Sequence, residues 1–457
     1  MRKENIYLAL PVFLQNSVVA IEGWRLHRLR YGKRESQFFD ELRKTQYYSR
    51  QELENLQLER LKSTIKNARE NVPYYREHFK DLPEIKSLDE LVNFPVLQKD
   101  TVRVNAKSFY DPNIPRSKQV IVYTSGTTGT PLVIHLHSNT IEYAFALQER
   151  QRLWAGTTIK DRRATFGGRV LMRADSDKPP FWRCNPSFNQ ILFSSYHMNE
   201  KNLHHYARKL IHFKPDEIYG YPSSVNTLAV FLKAHPEYKI NPKAVLTNSE
   251  PLFEYQEENM KEAFGCKIYE WYGSVEYACF AGRCEHGNLH IASEFGIIEI
   301  LDENNNPCAP GKEGDIVCTG LMNHGMPFIR YKIGDTGIIS GRTCGCGRAL
   351  PVIDRIGGRM DDIIVTPDGR RIGRMDPVFK GLTGIHEAQI IQDKIDHVLF
   401  RIVPAHGYSN QTKMELISNA KLRLGDKIKI DVEEVPWIER GPQGKFRAVI
   451  SHVKIQN

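Results

Sequence analysis

Short apolar runs alternate with helical patterns in the middle of the chain, and this alternation constrains the fold more than any other feature. Helical patterns cover Asn202–Phe213, Ser223–Ala234 and Tyr255–Phe264, and strand-like runs lie between them at Glu217–Tyr219 and Ala244–Thr247. Strands that alternate with helices in this way build a mostly parallel sheet covered by helices. The sequence therefore predicts an α/β fold.

Further towards the N-terminus, Ser49–Glu52 fits a capping box, and the helix that it opens is predicted to end at Pro73.

The pattern changes from about residue 288, where strands are separated by polar turns. Strand patterns occur at Ile297–Leu301, Asp315–Thr319 and Thr336–Ile339. We therefore predict a β-rich subdomain over residues 288–358.

A glycine pair, Gly357-Gly358, precedes a last segment that mixes strands with a helix over about 411–422. We predict a large N-terminal domain over residues 1–358 and a small α+β domain over residues 359–457.

The first fifty residues form a basic, partly apolar arm. They carry ten Lys or Arg against five Asp or Glu, which is more than half of the chain's net charge of +9. The apolar stretch Ile6–Trp24 is interrupted by Pro11, Gln15 and Glu22, so it is too short to span a bilayer. Two interpretations stay open: an apolar strap packed on the main domain beside a solvated basic helix, or a peripheral contact with an anionic membrane surface.

Composition excludes several classes of protein. With 41% hydrophobic and 26% charged residues, the chain is neither disordered nor a coiled coil. Eight cysteines in 457 residues are too few for a disulfide scaffold, and no secretory leader is evident, so we expect a reducing cytoplasm. No nucleic-acid-binding module is recognisable, so we predict no nucleic-acid partner; the oligomeric state stays open.

A Ser/Thr/Gly-rich loop follows the strand pattern Ile121–Tyr123. Its backbone N–H groups and hydroxyls can wrap a polyphosphate, although it lacks the Gly-Lys-Ser/Thr ending of a Walker A loop. The alternative is an ordinary turn. The candidate phosphate-binding residues are Thr124, Ser125, Gly126, Thr127, Thr128 and Gly129.

Four further segments place carboxylates and basic groups on glycine turns: Glu270–Glu276, Arg330–Asp335, Arg355–Asp362 and Gly441–Arg447. In this order and spacing, these segments and the loop resemble the core motifs of the adenylate-forming superfamily. Other segments resemble its phenylacetate–CoA ligase-like family and, within it, the capsular-polysaccharide-biosynthesis branch. They are Gly220–Ser224, Ser194–His197 and Cys344–Arg348 for the family, and Leu10-Pro11 and Pro180–Arg183 for the branch.

The resemblance covers essentially the whole chain and implies an ATP-dependent ligase with a mobile C-terminal domain. Such an enzyme activates a carboxylate as acyl-AMP and then transfers the acyl group to a thiol, as in CoA, or to an amine in a polysaccharide-related pathway. The alternative hypothesis is a catalytically degenerate, nucleotide-binding assembly factor at the membrane surface. Pyrophosphate exchange separates the two.

The resemblance also implies roles for individual residues. Lys445 is expected to reach the carboxylate and the α-phosphate, Glu276 to bind Mg²⁺, and Asp335 to bind the ribose with support from Arg359. Asp361 matches the hinge about which the small domain swings. The segment Asn248–Pro251, with Ser249 and Glu250, is expected to frame the adenine together with Tyr272, and Gly273 is expected to be part of the nucleotide-binding site.

The acid pocket is expected, by the same resemblance, beside Gly168, Arg169, His197 and Tyr221. Arg169, His197 and Arg183 favour a polar or anionic acid, unless these groups pair with protein carboxylates. One departure concerns the phosphate loop, where Thr130 stands in the place of the family's usual lysine. This substitution removes a cation that would meet the pyrophosphate.

Two cysteines on one turn, Cys344 and Cys346, suggest metal binding. With Cys284 and His290 they make a closed zinc set of the kind that relatives in the family carry, and the resemblance implies a structural Zn²⁺. A pair of buried thiols is the alternative. His286 and Cys279 compete for two of the four positions.

Overall fold

The structure is a computed structural model in which helices surround a long mixed sheet. It describes residues 3–123, 132–173, 176, 178–359, 364–367, 371–372, 375–379, 382, 384–440 and 446–453. The helices of the N-terminal third are α1 (Lys3–Ala9), α2 (Val12–Arg30), α3 (Lys33–Thr45), α4 (Arg50–Asn71), α5 (Pro73–His78), α6 (Lys99–Val104) and α7 (Ser138–Trp154).

The predicted start and end of α4 are both present. Ser49 and Glu52 form a reciprocal capping box that satisfies free N–H groups of the first turn. Val72 ends the helix because Pro73, which follows it, lacks an N–H and instead opens α5.

The α/β prediction is confirmed by the parallel part of the sheet. Its strands are β3 (Arg163–Gly167), β5 (Gln190–Ser194), β6 (Glu217–Gly220), β7 (Ala244–Asn248) and β8 (Lys267–Gly273). They run parallel in the spatial order β5-β3-β6-β7-β8, and β4 (Trp182–Asn185) pairs antiparallel with β5 at the edge. The connecting helices are α8 (Glu200–Phe213), α9 (Pro222–Ala234) and α10 (Glu254–Phe264), and they share a buried apolar core with the sheet.

Antiparallel strands continue the same hydrogen-bonded ladder. They are β9 (Phe280–Arg283), β10 (Leu289–Ile291), β11 (Gly296–Leu301), β12 (Glu313–Gly320), β13 (Tyr331–Ile339) and β14 (Val352–Arg359). The order β8-β9-β10-β14-β13-β12-β11 joins them to the parallel strands in one sheet of twelve. The strands predicted after residue 288 are therefore present, but they extend the main sheet; a division at residue 288 stays a prediction.

Two strands before α7 form an antiparallel hairpin, β1 (Gln119–Tyr123) and β2 (Val133–His137). Tyr123 pairs with Val133, so the hairpin holds together both ends of the Ser/Thr/Gly-rich loop.

The apolar N-terminal stretch is helical, and α2 packs against the edge strand β4. The backbone N–H of Cys184 donates to Asn16 Oδ1 at 2.9 Å, and Arg183 Nε donates to Gln15 Oε1 at 2.7 Å. Gly23 faces Asn185 so closely that a Cβ would lie 2.0 Å from its Oδ1. The helix is thus a covering of the sheet edge. Among the described residues, no helix combines the length and the apolarity needed to cross a bilayer.

A buried ion network lies at the amino ends of the parallel strands. Glu217, the first residue of β6, is fully buried and accepts hydrogen bonds from Arg163 Nε at 2.5 Å, from Arg152 Nε at 3.2 Å and from the Thr157 hydroxyl at 2.8 Å. Arg152 also donates to Glu149 at 2.6 Å. The network joins α7 to β3 and β6.

The C-terminal segment has its own small sheet and core. Its strands are β15 (Ile364–Val365), β16 (Arg371–Ile372), β17 (Ile385–Lys394), β18 (His397–Pro404), β19 (Lys429–Glu434) and β20 (Val449–Ser451), with helix α11 (Asn410–Leu424). The sheet order is β19-β18-β17-β20, and α11 covers it through Leu416 and Ala420. The predicted strands and helix are present, and the boundary near residue 359 stays a prediction.

Candidate active site

The carboxyl ends of the parallel strands gather most of the predicted site residues that the structure describes. Strands β3, β5, β6, β7 and β8 end at Gly167, Ser194, Gly220, Asn248 and Gly273. Gly168, Ser249 and Tyr221 follow directly after three of these ends. In α/β sheets, ligands bind in the crevice outside the carboxyl ends of the strands, so this edge is the candidate active site.

Two predicted nucleotide-binding residues meet across the antiparallel strands. The Tyr272 hydroxyl on β8 donates to Asp335 Oδ2 on β13 at 2.7 Å. Burial, followed by the Asp335 carboxylate, raises the pKa of Tyr272, which therefore keeps its proton and donates. Asp335 is also the register partner of Arg359 on β14, so the backbone brings together the two residues assigned to the ribose.

The predicted magnesium ligand, Glu276, is buried and oriented by a tyrosine. The Tyr331 hydroxyl donates to Glu276 Oε1 at 3.1 Å. Burial raises the pKa of Tyr331, and the Glu276 carboxylate raises it further, so this hydroxyl also remains a donor. Tyr277, directly after Glu276, adopts φ +54°, a conformation that non-glycine residues rarely adopt and that is enriched at functional sites.

The turn after β7 connects the large sheet to the C-terminal segment. Glu250 Oε2 accepts from the Ser223 N–H at 3.1 Å, and Oε1 accepts from the Phe446 N–H at 2.6 Å. Burial raises the pKa of Glu250, while these hydrogen bonds act in the opposite direction. Ser249, at φ +68°, donates its hydroxyl to Asn248 Oδ1 at 3.0 Å. Phe446 follows the predicted catalytic lysine, so Glu250 fixes the backbone beside it.

Several predicted residues lie outside the described part of the chain. They are Thr124, Ser125, Gly126, Thr127, Thr128 and Gly129 of the phosphate loop, with Thr130, and also Asp361, Lys445 and the side chain of Arg359. Their roles stay predictions.

A cavity of about 510 Å³ lies beside the end of β3. Gly168 and Arg169, both predicted for the acid pocket, line it together with Tyr196. The opposite wall comes from α2 through Val18 and Glu22. The sequence motifs did not indicate this wall, because α2 and the end of β3 are more than 140 residues apart in the sequence.

His197 does not line this cavity, and its role in the acid pocket stays a prediction. Its Nδ1 lies 2.8 Å from the Ser194 hydroxyl and its Nε2 lies 3.0 Å from the Arg173 carbonyl. Since a carbonyl only accepts, Nε2 carries the proton and Nδ1 accepts from Ser194. The ring is buried and does not line the cavity. Both of its nitrogens are hydrogen-bonded within the protein, to the Ser194 hydroxyl and to the Arg173 carbonyl.

Arg183 is likewise bonded within the protein. It is buried and donates to Gln15 and to the carbonyls of Pro180 and Trp182, so it anchors α2. Tyr221 is half-buried beside Gly168, whose N–H binds its hydroxyl. Of Arg169, His197 and Arg183, which favoured a polar or anionic acid as substrate, Arg169 alone lines the cavity.

The structure brings together the four predicted metal ligands. One ligand atom from each of Cys284, His290, Cys344 and Cys346 lies within 4.8 Å of the others. The Sγ atoms of Cys284 and Cys344 are 3.7 Å apart, and Cys346 Sγ is 3.4 Å from His290 Nε2. His290 Nδ1 donates to the Leu350 carbonyl at 2.9 Å, which leaves the Nε2 lone pair facing the thiols. This donor set and orientation fit Zn²⁺.

The surroundings of the cluster suit thiolates bound to a cation. Burial raises the pKa of Cys284 to about 12, so this thiol needs a positive charge to ionise at neutral pH. The Asn288 amide donates to Cys344 Sγ at 3.1 Å, and the His286 N–H donates to Cys284 Sγ at 3.4 Å. Of the competing candidates, His286 contributes its backbone, and the Cys279 thiol lies beside Cys318 instead.

Comparisons with known proteins agree with this architecture. Residues 364–452 match the model of the CapK C-terminal domain. The chain is 26% identical to Protein CapK of Staphylococcus aureus over 98% of this chain and 99% of that protein. It is 27% identical to the phenylacetate-coenzyme A ligase of Thermus thermophilus over 69% of this chain and 72% of the ligase.

A solved structure extends the comparison to the fold. The 2-hydroxyisobutyryl-CoA ligase in the postadenylation state superposes with a TM-score of 0.71 at 20% identity, covering 89% of this chain and 91% of the ligase. The resemblance inferred from the motifs is therefore confirmed, and the fold is the one found in adenylate-forming CoA ligases.

Proposed function

We infer that this chain, a relative of CapK and of the phenylacetate-coenzyme A ligases, is an ATP-dependent ligase that activates a carboxylic acid as acyl-AMP. The observation that carries the proposal is the contact between Tyr272 and Asp335, because it joins two motifs 63 residues apart at the candidate active site. The chain then transfers the acyl group to a thiol, as in CoA, or to an amine. The reaction consumes ATP, so we propose a cytoplasmic location.

In the first half-reaction, an oxygen of the acid attacks the α-phosphorus of ATP and pyrophosphate leaves. Asp335 accepts hydrogen bonds from the ribose hydroxyls, and Tyr272 both orients Asp335 and borders the adenine. Glu276 would hold Mg²⁺, which neutralises charge on the phosphate oxygens. Lys445 places its ammonium group between the acid and the α-phosphate, where negative charge grows in the transition state.

In the second half-reaction, the thiol sulfur or the amine nitrogen attacks the acyl carbon, and AMP leaves as the acceptor loses its proton. The C-terminal segment, residues 359–457, carries Lys445 and swings about Asp361 between the two steps. A thiol acceptor agrees with the names of the ligases to which the chain is similar. An amine acceptor would fit a role in polysaccharide synthesis.

The test is ATP–pyrophosphate exchange across a panel of aryl, hydroxy, amino and sugar acids. We expect Glu276→Gln and Lys445→Ala to lower the exchange rate with the best acid by at least about a hundredfold, since each removes stabilisation of charge on the phosphates. Glu303→Gln and Lys429→Ala are matched controls on exposed sites and should retain the rate. Rates of the Glu276 and Lys445 variants within threefold of the parent would refute these assignments. ATP binding by calorimetry without exchange for any acid would support the assembly-factor hypothesis.

We also propose that Cys284, His290, Cys344 and Cys346 hold a structural Zn²⁺. The purified chain should contain about one zinc per molecule, and Cys346→Ser should lose it together with several kcal/mol of stability. Cys308→Ser, a partly exposed thiol on another turn, should keep both. Metal analysis and urea unfolding give the answer. A parent protein without zinc that unfolds identically after treatment with chelator would contradict this proposal without affecting the ligase.

A further inference from the structure

Helix α2 has an apolar outer face that no described residue covers. Phe13 is 68% exposed, Ile21 is 69% exposed and Trp24 is 57% exposed. Leu14 and Val18 are also exposed. Leu14, Val18, Ile21 and Trp24 follow one another at helical spacings of four, three and three positions, and Phe13 lies beside Trp24 on the helical wheel. At about 100° of rotation per residue, the five occupy a sector of roughly 140° on one side of the helix. Three large side chains exposed on a single face form a patch of the kind that marks an interaction surface.

The opposite face of α2 is firmly attached, so the patch has a fixed orientation. Gln15 and Gly23 are buried, and the Gln15 and Asn16 side chains accept from Arg183 and the Cys184 backbone. The Ser187 hydroxyl donates to the Ala20 carbonyl at 3.3 Å. These contacts fix the rotation of α2 about its axis, so the helix cannot turn its exposed apolar side towards the sheet.

Positive charge surrounds the patch. Residues 1–34 contain seven Lys or Arg against two Asp or Glu. Arg28 is exposed on α2, and its guanidinium lies 4.9 Å from the centre of the Trp24 ring. Arg25 is also exposed, but it pairs with Glu22, whose Oε1 lies 2.7 Å from Arg25 Nη2. Arg34 is exposed at the start of α3. An occupant of this face should therefore be apolar at its centre and anionic at its edge.

We propose that the outer face of α2 docks on an anionic phospholipid bilayer, with the helix parallel to the membrane plane. Aromatic and aliphatic side chains bordered by arginines are the composition of helices that lie in the lipid interface. Each arginine close to an anionic lipid surface strengthens binding about fivefold. Docking is measured without turnover, so its test does not depend on the proposed reaction.

Docking has a consequence for the neighbouring cavity. Val18 lies on the outer face and also lines the cavity beside Gly168. With α2 on the bilayer, the mouth of this cavity lies next to the lipid headgroups.

The direct test is sedimentation of the full chain with vesicles. Phosphatidylcholine vesicles are compared with vesicles containing equal parts of phosphatidylcholine and phosphatidylglycerol. We expect binding to the anionic vesicles that weakens as salt is added, and at least tenfold weaker binding to phosphatidylcholine alone. No binding to the anionic vesicles at low salt would overturn the proposal, whatever the variants do.

Two variants test the apolar contribution. Phe13→Ser, Ile21→Ser and Trp24→Ser combined should lower the partition coefficient at least tenfold. The matched control combines Val104→Ser, Ile395→Ser and Met414→Ser, three exposed apolar residues on other elements, and should bind as the parent does. Equal binding by both variants would count against α2.

A third variant tests the charge, and light scattering tests the main competing occupant. Arg28→Gln should weaken binding to anionic vesicles about fivefold and leave binding to neutral vesicles unchanged. If the parent is a dimer that the triple α2 variant converts to a monomer, and neither binds vesicles, the face is an interface between two copies and the membrane proposal is wrong.

Discussion

The two ends of the parallel strands use charge in opposite ways. At the amino ends, Glu217 is fully buried between the guanidinium groups of Arg152 and Arg163. At the carboxyl ends, Glu250 accepts from two backbone N–H groups, those of Ser223 and Phe446. One carboxylate is paired with cations, whereas the other is held by neutral donors.

The pKa shifts of these two carboxylates follow from their partners. Burial alone would raise the pKa of Glu217, but Arg163 and Arg152 outweigh it and the pKa falls. Burial of Glu250 is only partly offset by its neutral donors, so its pKa rises. The amino ends therefore hold a carboxylate that is neutralised by arginines, while Glu250 at the carboxyl ends is held by backbone N–H groups. One sheet thus carries an ion-paired edge opposite its candidate functional edge.

The largest effect should come from breaking the amino-end network. Glu217→Ala leaves two buried guanidinium groups without their shared carboxylate, so we expect a loss of about 3–5 kcal/mol in the free energy of unfolding. Urea titration measures it. Pyrophosphate exchange per folded molecule should be retained at low temperature. If Glu217→Ala were as stable as the parent but inactive in pyrophosphate exchange, the amino ends would be the functional edge and our comparison would be wrong.

A smaller effect, on activity, should come from the carboxyl-end side. Tyr331→Phe removes the hydroxyl that orients Glu276, which is worth about 1 kcal/mol or more. We expect the concentration of Mg²⁺ that gives half-maximal exchange to rise about fivefold or more. The unfolding free energy should fall by less than in Glu217→Ala. An unchanged Mg²⁺ dependence would show that Tyr331 only fills the core.

The smallest effect should come from an exposed ion pair at the amino ends. Arg162 Nε lies 3.3 Å from Asp216 Oδ2, and the arginine side chain is 44% exposed. Arg162→Ala should cost at most about 0.5 kcal/mol, because water already screens this pair. If Arg162→Ala lost as much unfolding free energy as Glu217→Ala, exposed and buried ion pairs would stabilise this edge equally, and burial would not explain the difference.

Local patterns predicted the elements that depend on nearby residues. The strand–helix alternation from residue 202 to residue 264 and the capping box at Ser49 both appear as expected, because each is decided within a few turns of chain. The Cys/His cluster was predictable only with the family resemblance, because the turn that carries Cys344 and Cys346 suggests a metal but leaves the choice of the other two ligands open.

Long-range contacts set the limits of sequence-based prediction. The sequence pattern did not indicate helix α7. Glu149, Arg150 and Arg152 are buried as ion pairs, so charged residues occupy a part of the helix surface that would normally be apolar. The sequence leaves open whether Arg183 contacts substrate or pairs within the protein, and the structure pairs it with Gln15, which lies 168 positions away. A local motif contains only one of the two residues in such a contact, so the sequence around Arg183 does not identify its partner.

Glu250 also bears on how tightly the C-terminal segment is held. Its bond to the Phe446 N–H has a neutral donor and a carboxylate acceptor, and exchanging such a bond for one to water costs about 1.5–3 kcal/mol net. This bond alone favours the arrangement in which Phe446 lies against Glu250 by a factor of about 10–150. In the swing that we propose for residues 359–457, Glu250 is therefore a latch that has to be released.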